Sequence, residues 1–361
     1  MFSGEYFNEN YMRESAEYHK TLEPIEYYGS IQAMNEQSIE RLRSVLTSVE
    51  FKSDAVLVAV GSDGKGERHD PSKIELKLIM RSPVNANSQL IIEEVNTAIA
   101  DSPYSTIVEK GMIYNKALNE KNEIFDVVSI SSGEVLSYAF NQESAVFPDR
   151  VINTCFILGN PELLIAAKRK VMLEITDGSE LSKRIYSELR NQLGDYKLAM
   201  RTGIYRGKKV FDRELSLQYY TEDINPLEKK TGFKIAYLRA TQRKCDLLTF
   251  ALIRSGRLTI EEAIRWPTNT LTRIEYILNV VNKEVLELSK KNKKTPIEIS
   301  ASFQQAYAWF LKEYHIIQDE YTDKKVEVEM SFNKEEFEIA NQNIEAFLEL
   351  QLNEKNALRL R

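Results

Sequence analysis

Residues 58–80, VAVGSDGKGERHDPSKIELKLIM, decide how this chain is read. Residues 55–60 form a continuous apolar run, too short for a helix, that ends at Gly61-Ser62 and predicts a buried strand. Beyond a polar, glycine-rich segment, Ile74, Leu76, Leu78 and Met80 alternate with Glu75, Lys77 and Ile79, the period of a second strand with one face toward a core. Gly61 allows a sharp turn at the strand end. Ser62 offers a hydroxyl and an N–H, and Gly64 and Gly66 keep the loop without Cβ atoms, so that its amides can approach a polyphosphate as a nest. Lys65 and Arg68 add positive charge. By itself, such a string also describes an ordinary β-loop-β connection.

Working outward, residues 38–49 carry Ile39, Leu42, Val45, Leu46 and Val49 on one helical face, and residues 87–100 read as an amphipathic helix. Strand-like runs follow at 106–114 and 124–130. After about Phe147 the pattern turns helical. Asn160-Pro161-Glu162 is a helix start with an Asn cap, Thr259–Glu262 and Thr295–Glu298 are capping boxes, and a last helix from about Lys334 repeats Phe337, Ile344, Phe347 and Leu348 on one face. The expected fold class is α+β. A mixed α/β domain (36–146) follows an N-terminal extension (1–35) and leads into an all-α helical bundle domain (147–294) with a C-terminal helical subdomain (295–361). The charged run SKKNKKTP (289–296) connects the last two.

The chain has 361 residues, 43% hydrophobic and 28% charged, enough for two globular domains. No run of 18 apolar residues predicts a membrane span. The acidic, Tyr-rich start lacks the basic and apolar blocks of a signal peptide, so the expected location is the cytoplasm. A net charge of −6 argues against a dedicated nucleic-acid binder. Residues 183–244 are nonetheless rich in Lys and Arg, which suits either a small polyanion or a solvated helix face. Cys155 and Cys245 sit in apolar-periodic stretches and read as packed thiols, and His19, His69 and His315 show no metal-ligand spacing. Trp266 and Trp309 read as core. Lys197 and Arg201, four apart on one helical face, can reach a cleft or solvent.

Asp126 lies within IFDVV, where an Asp is costly to bury unless paired or metal-bound. With Glu75 it supplies two strand carboxylates beside a Gly-Ser loop, the requirement of a magnesium-triphosphate site. On these residues the chain resembles the nucleotidyltransferase fold of the DNA polymerase β superfamily, with its Gly-Ser, spacer and Asp-x-Asp on the second strand. More narrowly, GSDGKGERHDPSKIEL resembles nucleotidyltransferases related to the PII uridylyltransferase and glutamine synthetase adenylyltransferase. Gly61, Ser62, Gly64, Lys65, Glu67, Ser72 and Glu75 match by position, and Asp126 matches the third carboxylate. The block LEKKTGFKIAYLRATQRKCDLLTF (227–250) resembles a helical substrate-binding segment of the same proteins at Glu228, Lys230, Gly232 and Arg239. FPDRVINTCFILGNPEL (147–163) resembles their bridge between domains.

The resemblance implies transfer of a nucleoside monophosphate from an NTP, ATP foremost, to a hydroxyl of a protein or small-molecule acceptor. It implies Ser62, Glu75 and Asp126 in catalysis and Mg2+ or Mn2+ on Glu75 and Asp126. Nucleotide contacts are expected from Gly61, Ser62, Gly64, Lys65, Arg68, Lys73 and Lys230. One position departs: Lys73 stands where the first Asp belongs. A lysine supplies about the same local positive charge as an Asp with its Mg2+, yet it binds no metal and cannot activate an acceptor hydroxyl. Two expectations follow: a one-metal enzyme, with Asp63 or Asp70 moving in, or a degenerate module that holds a nucleotide for regulation or protein interaction. The Tyr-rich start (Tyr6, Tyr11, Tyr18, Tyr27, Tyr28) reads as a docking arm, a self-modification acceptor, or packing on the helical part.

Overall fold

A computed structural model describes residues 21–51, 55–69, 74, 76–80, 86–100, 127–129, 151–205, 208–209, 232–323, 333–350 and 352. Helices dominate around a small sheet, an α+β architecture. The chain divides into two units, one drawn from Gln32–Arg190, Leu247–Tyr276 and Leu352–Arg361, the other from Met1–Ile31, Asn191–Asp246 and Ile277–Gln351.

The first unit contains most of α1 (Pro24–Val45), then β1 (Ala55–Ala59), β2 (Leu76–Met80), α2 (Ala86–Ala100), β3 (Val127–Ser129), β4 (Cys155–Gly159) and α3 (Pro161–Thr176). It also takes the start of α4 (Glu180–Thr202), the end of α5 (Ala240–Arg254), α6 (Ile260–Arg265) and the start of α7 (Thr270–Val280). The sheet order is β3-β2-β1-β4. β1 pairs antiparallel with β2, Leu57 opposite Leu78, and antiparallel with β4. β3 runs parallel to β2, Val127 beside Leu78. The sequence run 106–114 lies outside the described residues.

β1 is apolar at every position because it is central and covered on both faces. On one face, Leu57, Ala59, Ile74, Leu76, Leu78 and Ile157 pack with Leu42 and Leu46 and with Ile91, Val95 and Ile99 of α2. Each fully buried aliphatic side chain contributes roughly 1.5–3 kcal/mol. α3 lies over β1 and β2 on the other face. The strand alternation predicts one core-facing side for β2; α3 covers the second side as well, so Ile79 is buried and Lys77 is 1% exposed. β4 carries a bulge: Leu57 pairs with Leu158 but Val58 with Phe156, which leaves Ile157 as the extra residue. Arg43 of α1 donates to the carbonyls of Ile157 (3.2 Å) and Phe156. α3 starts as its sequence predicts, with the Asn160 side chain accepting from the Glu162 N–H at 3.0 Å and Pro161 in the first turn.

In the second unit, α9 (Pro296–Asp323) packs against α8 (Asn282–Asn292), α10 (Lys334–Glu349) and the π-helical segment Lys234–Arg239. Thr295 and Glu298 form the expected reciprocal cap, and Asn333 caps α10. Tyr237 stacks on Phe310 with ring centroids 4.0 Å apart, and Trp309 and Phe337 pack around them, so Trp309 is core. Tyr27 and Tyr28 are buried here, the first bonded through its hydroxyl to His315 Nδ1 at 2.8 Å and the second edge-on to Tyr307. They take the packing option for the Tyr-rich start; Tyr6, Tyr11 and Tyr18 lie outside the described residues.

The basic stretch is divided: Lys183, Arg184 and Arg190 are exposed, as a solvated helix face would have them, whereas its end is not. Arg243 and Lys244 are buried, the one ion-paired with Asp246 at 3.3 Å and the other donating to the Leu350 carbonyl. Lys197 and Arg201 both engage Glu349, at 2.6 and 2.8 Å. These charges are spent on tertiary structure within the unit.

Candidate functional site

The strand pairing determines what meets at one edge of the sheet. β1 ends beside the start of β2, Ala59 opposite Leu76, and β3 enters parallel to β2. The C-terminal end of β1 and the N-terminal ends of β2 and β3 therefore share one edge. Gly61-Ser62 follows that end of β1. In sequence, Glu75 directly precedes β2 and Asp126 directly precedes β3. Glu75, Asp126, Lys73, Asp70 and Lys230 themselves lie outside the described residues.

The loop after β1 is closed on itself. Gly61 has φ +64°, in the left-handed region that glycine tolerates, and Gly61–Gly64 makes a single helical turn. The Gly64 N–H donates to Val60 O (3.2 Å), Lys65 N–H to Ser62 O (3.2 Å), Gly66 N–H to Asp63 O (3.1 Å) and Glu67 N–H to Ser62 O (2.8 Å). The amides expected to form a phosphate nest from Gly64 onward thus bond to the loop's own carbonyls. Gly61 and Ser62, both partly exposed, open the turn, where N–H groups have no partner one turn earlier.

The side chains follow the same pattern. Arg68 Nε meets Asp63 Oδ1 at 2.8 Å, with each side chain 2% exposed. Lys65 Nζ donates to Gly61 O at 3.3 Å, and Asn35 Nδ2 to Arg68 O at 3.0 Å, tying the loop to α1. Glu67 Oε1 accepts from the Thr270 N–H at 3.1 Å and so caps α7 from another part of the chain. At Gly64 a Cβ would lie 2.3 Å from Asn153 O and 2.9 Å from Ala59 O. Backbone packing alone requires glycine there. Among the described residues no group of three or more His, Cys, Asp or Glu is arranged to hold a metal ion. Of the two carboxylates expected to be able to shift toward one, Asp63 is held by Arg68 and Asp70 lies outside the described residues.

A second polar cluster, missed in the sequence, lies behind the strand edge. Lys168 of α3, Asn153, Thr249 of α5, Thr268 and Arg273 of α7 line a small pocket with Ile152, Met172, Trp266 and Pro267. α6 is held on α3 by the two-pronged pairing of Arg169 with Glu261 (2.6 and 2.9 Å). It starts at the capping box that Thr259 and Glu262 form as expected. Arg273 donates to Asn153 Oδ1 at 2.7 Å and to Thr249 Oγ1 at 3.4 Å. Lys168 Nζ donates to Thr154 O at 3.3 Å. Burial pushes the Lys168 ammonium down to about 8, with the Cys155 thiol opposing that shift and Arg273 adding to it. Burial pushes the Cys155 thiol up, against the pull of Arg43 and Lys168.

Trp266, expected in the core, is half-buried and forms a wall of this pocket, edge-on to Tyr276. The sequence did carry a signal for Lys168. It sits at helical spacing among Leu164, Val171, Met172 and Ile175, the buried face of α3, where a lysine is out of place. In comparisons with known proteins, no protein-family model and no curated protein matches this chain.

Proposed function

We propose that this protein binds a nucleoside triphosphate, ATP foremost, at the Gly61-Ser62 turn. It then transfers the nucleoside monophosphate to a hydroxyl of a protein or small-molecule acceptor. In that reaction the acceptor oxygen bonds to the α-phosphorus and the bond to pyrophosphate breaks. The observation that carries the reading is the shared sheet edge: β1 ends there at Gly61-Ser62, and β2 and β3, the strands preceded in sequence by Glu75 and Asp126, begin there. The resemblance to the nucleotidyltransferase fold needs these three elements side by side. On this reading an N-terminal nucleotidyltransferase-like domain is followed by a helical domain that holds the acceptor. Glu75 and Asp126 are the proposed ligands of Mg2+ or Mn2+, an ion that polarises phosphoryl oxygens when bound. Ser62 contacts the triphosphate, and Lys73 supplies charge in place of the missing carboxylate.

A second reading has its own support. With Lys73 at the first carboxylate position and the amides from Gly64 to Glu67 bonded within the loop, the chain is a degenerate module that holds a nucleotide for regulation or protein interaction. Pyrophosphate release from labelled NTPs with Mg2+ or Mn2+ separates the two. The first reading expects release by the full chain and its abolition in Asp126→Ala. ATP binding without metal, weakened in Lys73→Ala and unaccompanied by pyrophosphate, gives the second. Absence of nucleotide binding under every metal condition sinks both.

A further inference from the structure

We propose that the pocket between α3, the segment that leads into β4 and the α6–α7 connection is a binding site for a small oxyanion, a phosphoryl or carboxylate group, organised by the Lys168 ammonium. Lys168 is 8% exposed, and its ammonium carries three donors. Among the described residues its hydrogen-bond acceptor is the Thr154 carbonyl, at 3.3 Å. None of the described residues lining the pocket is acidic. A buried charge is retained at a cost unless something pairs with it.

The surroundings are set up for an anion. Arg273 lines the same pocket, and its guanidinium is oriented by Asn153 and Thr249. Arg273 adds positive charge beside the Lys168 ammonium, and an oxyanion in the pocket would accept a charge-assisted hydrogen bond from Lys168. Thr249 and Thr268 add hydroxyls to the lining. Trp266, Pro267 and Met172 close the rest of the wall, and the small space they leave limits the ligand to a compact oxyanion head. The site is composed of residues other than those of the Gly-Ser turn, so it stands or falls separately from the nucleotide reading.

The test uses the full chain, with thermal unfolding followed in sodium sulfate, sodium acetate or sodium chloride at equal ionic strength. Sulfate stands in for a phosphoryl group and keeps its charge across neutral pH. At roughly ten times the dissociation constant, the bound anion should raise Tm by about 2 °C over chloride. A rise with sulfate but not acetate assigns a phosphoryl group, and the reverse assigns a carboxylate. Sulfate also stabilises by exclusion from the protein surface, so the rise due to the site is the part that Lys168→Met loses and Lys168→Arg keeps in part. An equal rise in wild type and Lys168→Met overturns the proposal, as does a rise lost in Ser62→Ala instead, which would assign the anion to the turn. Should Lys168→Met fail to fold, the wild-type Trp266 indole resonance, assigned with Trp266→Phe, decides. It should shift and saturate with the effective anion, and an unmoved resonance overturns the proposal.

Discussion

The Gly-Ser turn and the Lys168 pocket belong to the same unit, and both bury cations, yet they treat charge in opposite ways. In the turn, Arg68 is matched by Asp63 at 2.8 Å and Lys65 folds back onto Gly61 O. In the pocket, Lys168 has a backbone carbonyl at 3.3 Å for an acceptor and an arginine lining the same space. A matched charge spends its energy on the shape of a loop. A poorly matched one costs stability unless something pairs with it. The turn should therefore break when its partners are removed, whereas the pocket should relax when its cation is removed.

The largest effect is expected in the turn. Asp63→Ala leaves the Arg68 guanidinium buried without that partner and should cost about 3–5 kcal/mol in urea unfolding, with much of the loss recovered when Arg68→Leu is added. The pocket should respond with the opposite sign. The Lys168 ammonium titrates near 8 in the fold against 10.5 in the unfolded chain, so below pH 8 its burial costs roughly 3 kcal/mol. Between about pH 8 and 10.5 the unfolded chain binds the extra proton, so this residue makes stability rise with pH across that window. Lys168→Met should thus be more stable than wild type at pH 7, and the gap should close as pH rises. A gap that is absent at pH 7, or that widens with pH, would contradict the assignment.

Gly64→Ala comes next, at about 1–3 kcal/mol, because its Cβ would meet the Asn153 carbonyl; Gly66→Ala, with no atom nearer than 3.9 Å but φ +66°, should cost less. Asn160→Ala, which removes the cap of α3, is expected to cost about 1 kcal/mol. Thermal or urea unfolding of the three variants checks the order.

Legibility in the sequence followed the range of the interactions. The buried strand, the Asn160 cap and both Thr/Glu capping boxes were readable because each is specified within a few residues. Gly64 was readable as a necessary glycine but with a different cause. A phosphate nest was expected, and the demand comes from the Asn153 backbone, far away in the chain. The covered second face of β2 and the burial of Lys77 depend on where α3 settles, which no local pattern encodes. The same placement turns Lys168 from one of many helix lysines into the centre of a pocket. Arg243 and Lys244 illustrate the reverse error, since a basic run on an amphipathic helix reads as surface until its neighbours are known.

The central claim is a nucleotide site at the sheet edge where β1 ends and β2 and β3 begin. A crystal structure of the full chain with a non-hydrolysable ATP analogue and Mn2+ tests it most directly. The triphosphate should lie against Ser62 with Mn2+ on Glu75 and Asp126. A nucleotide bound elsewhere, or none at saturating concentration, would contradict it.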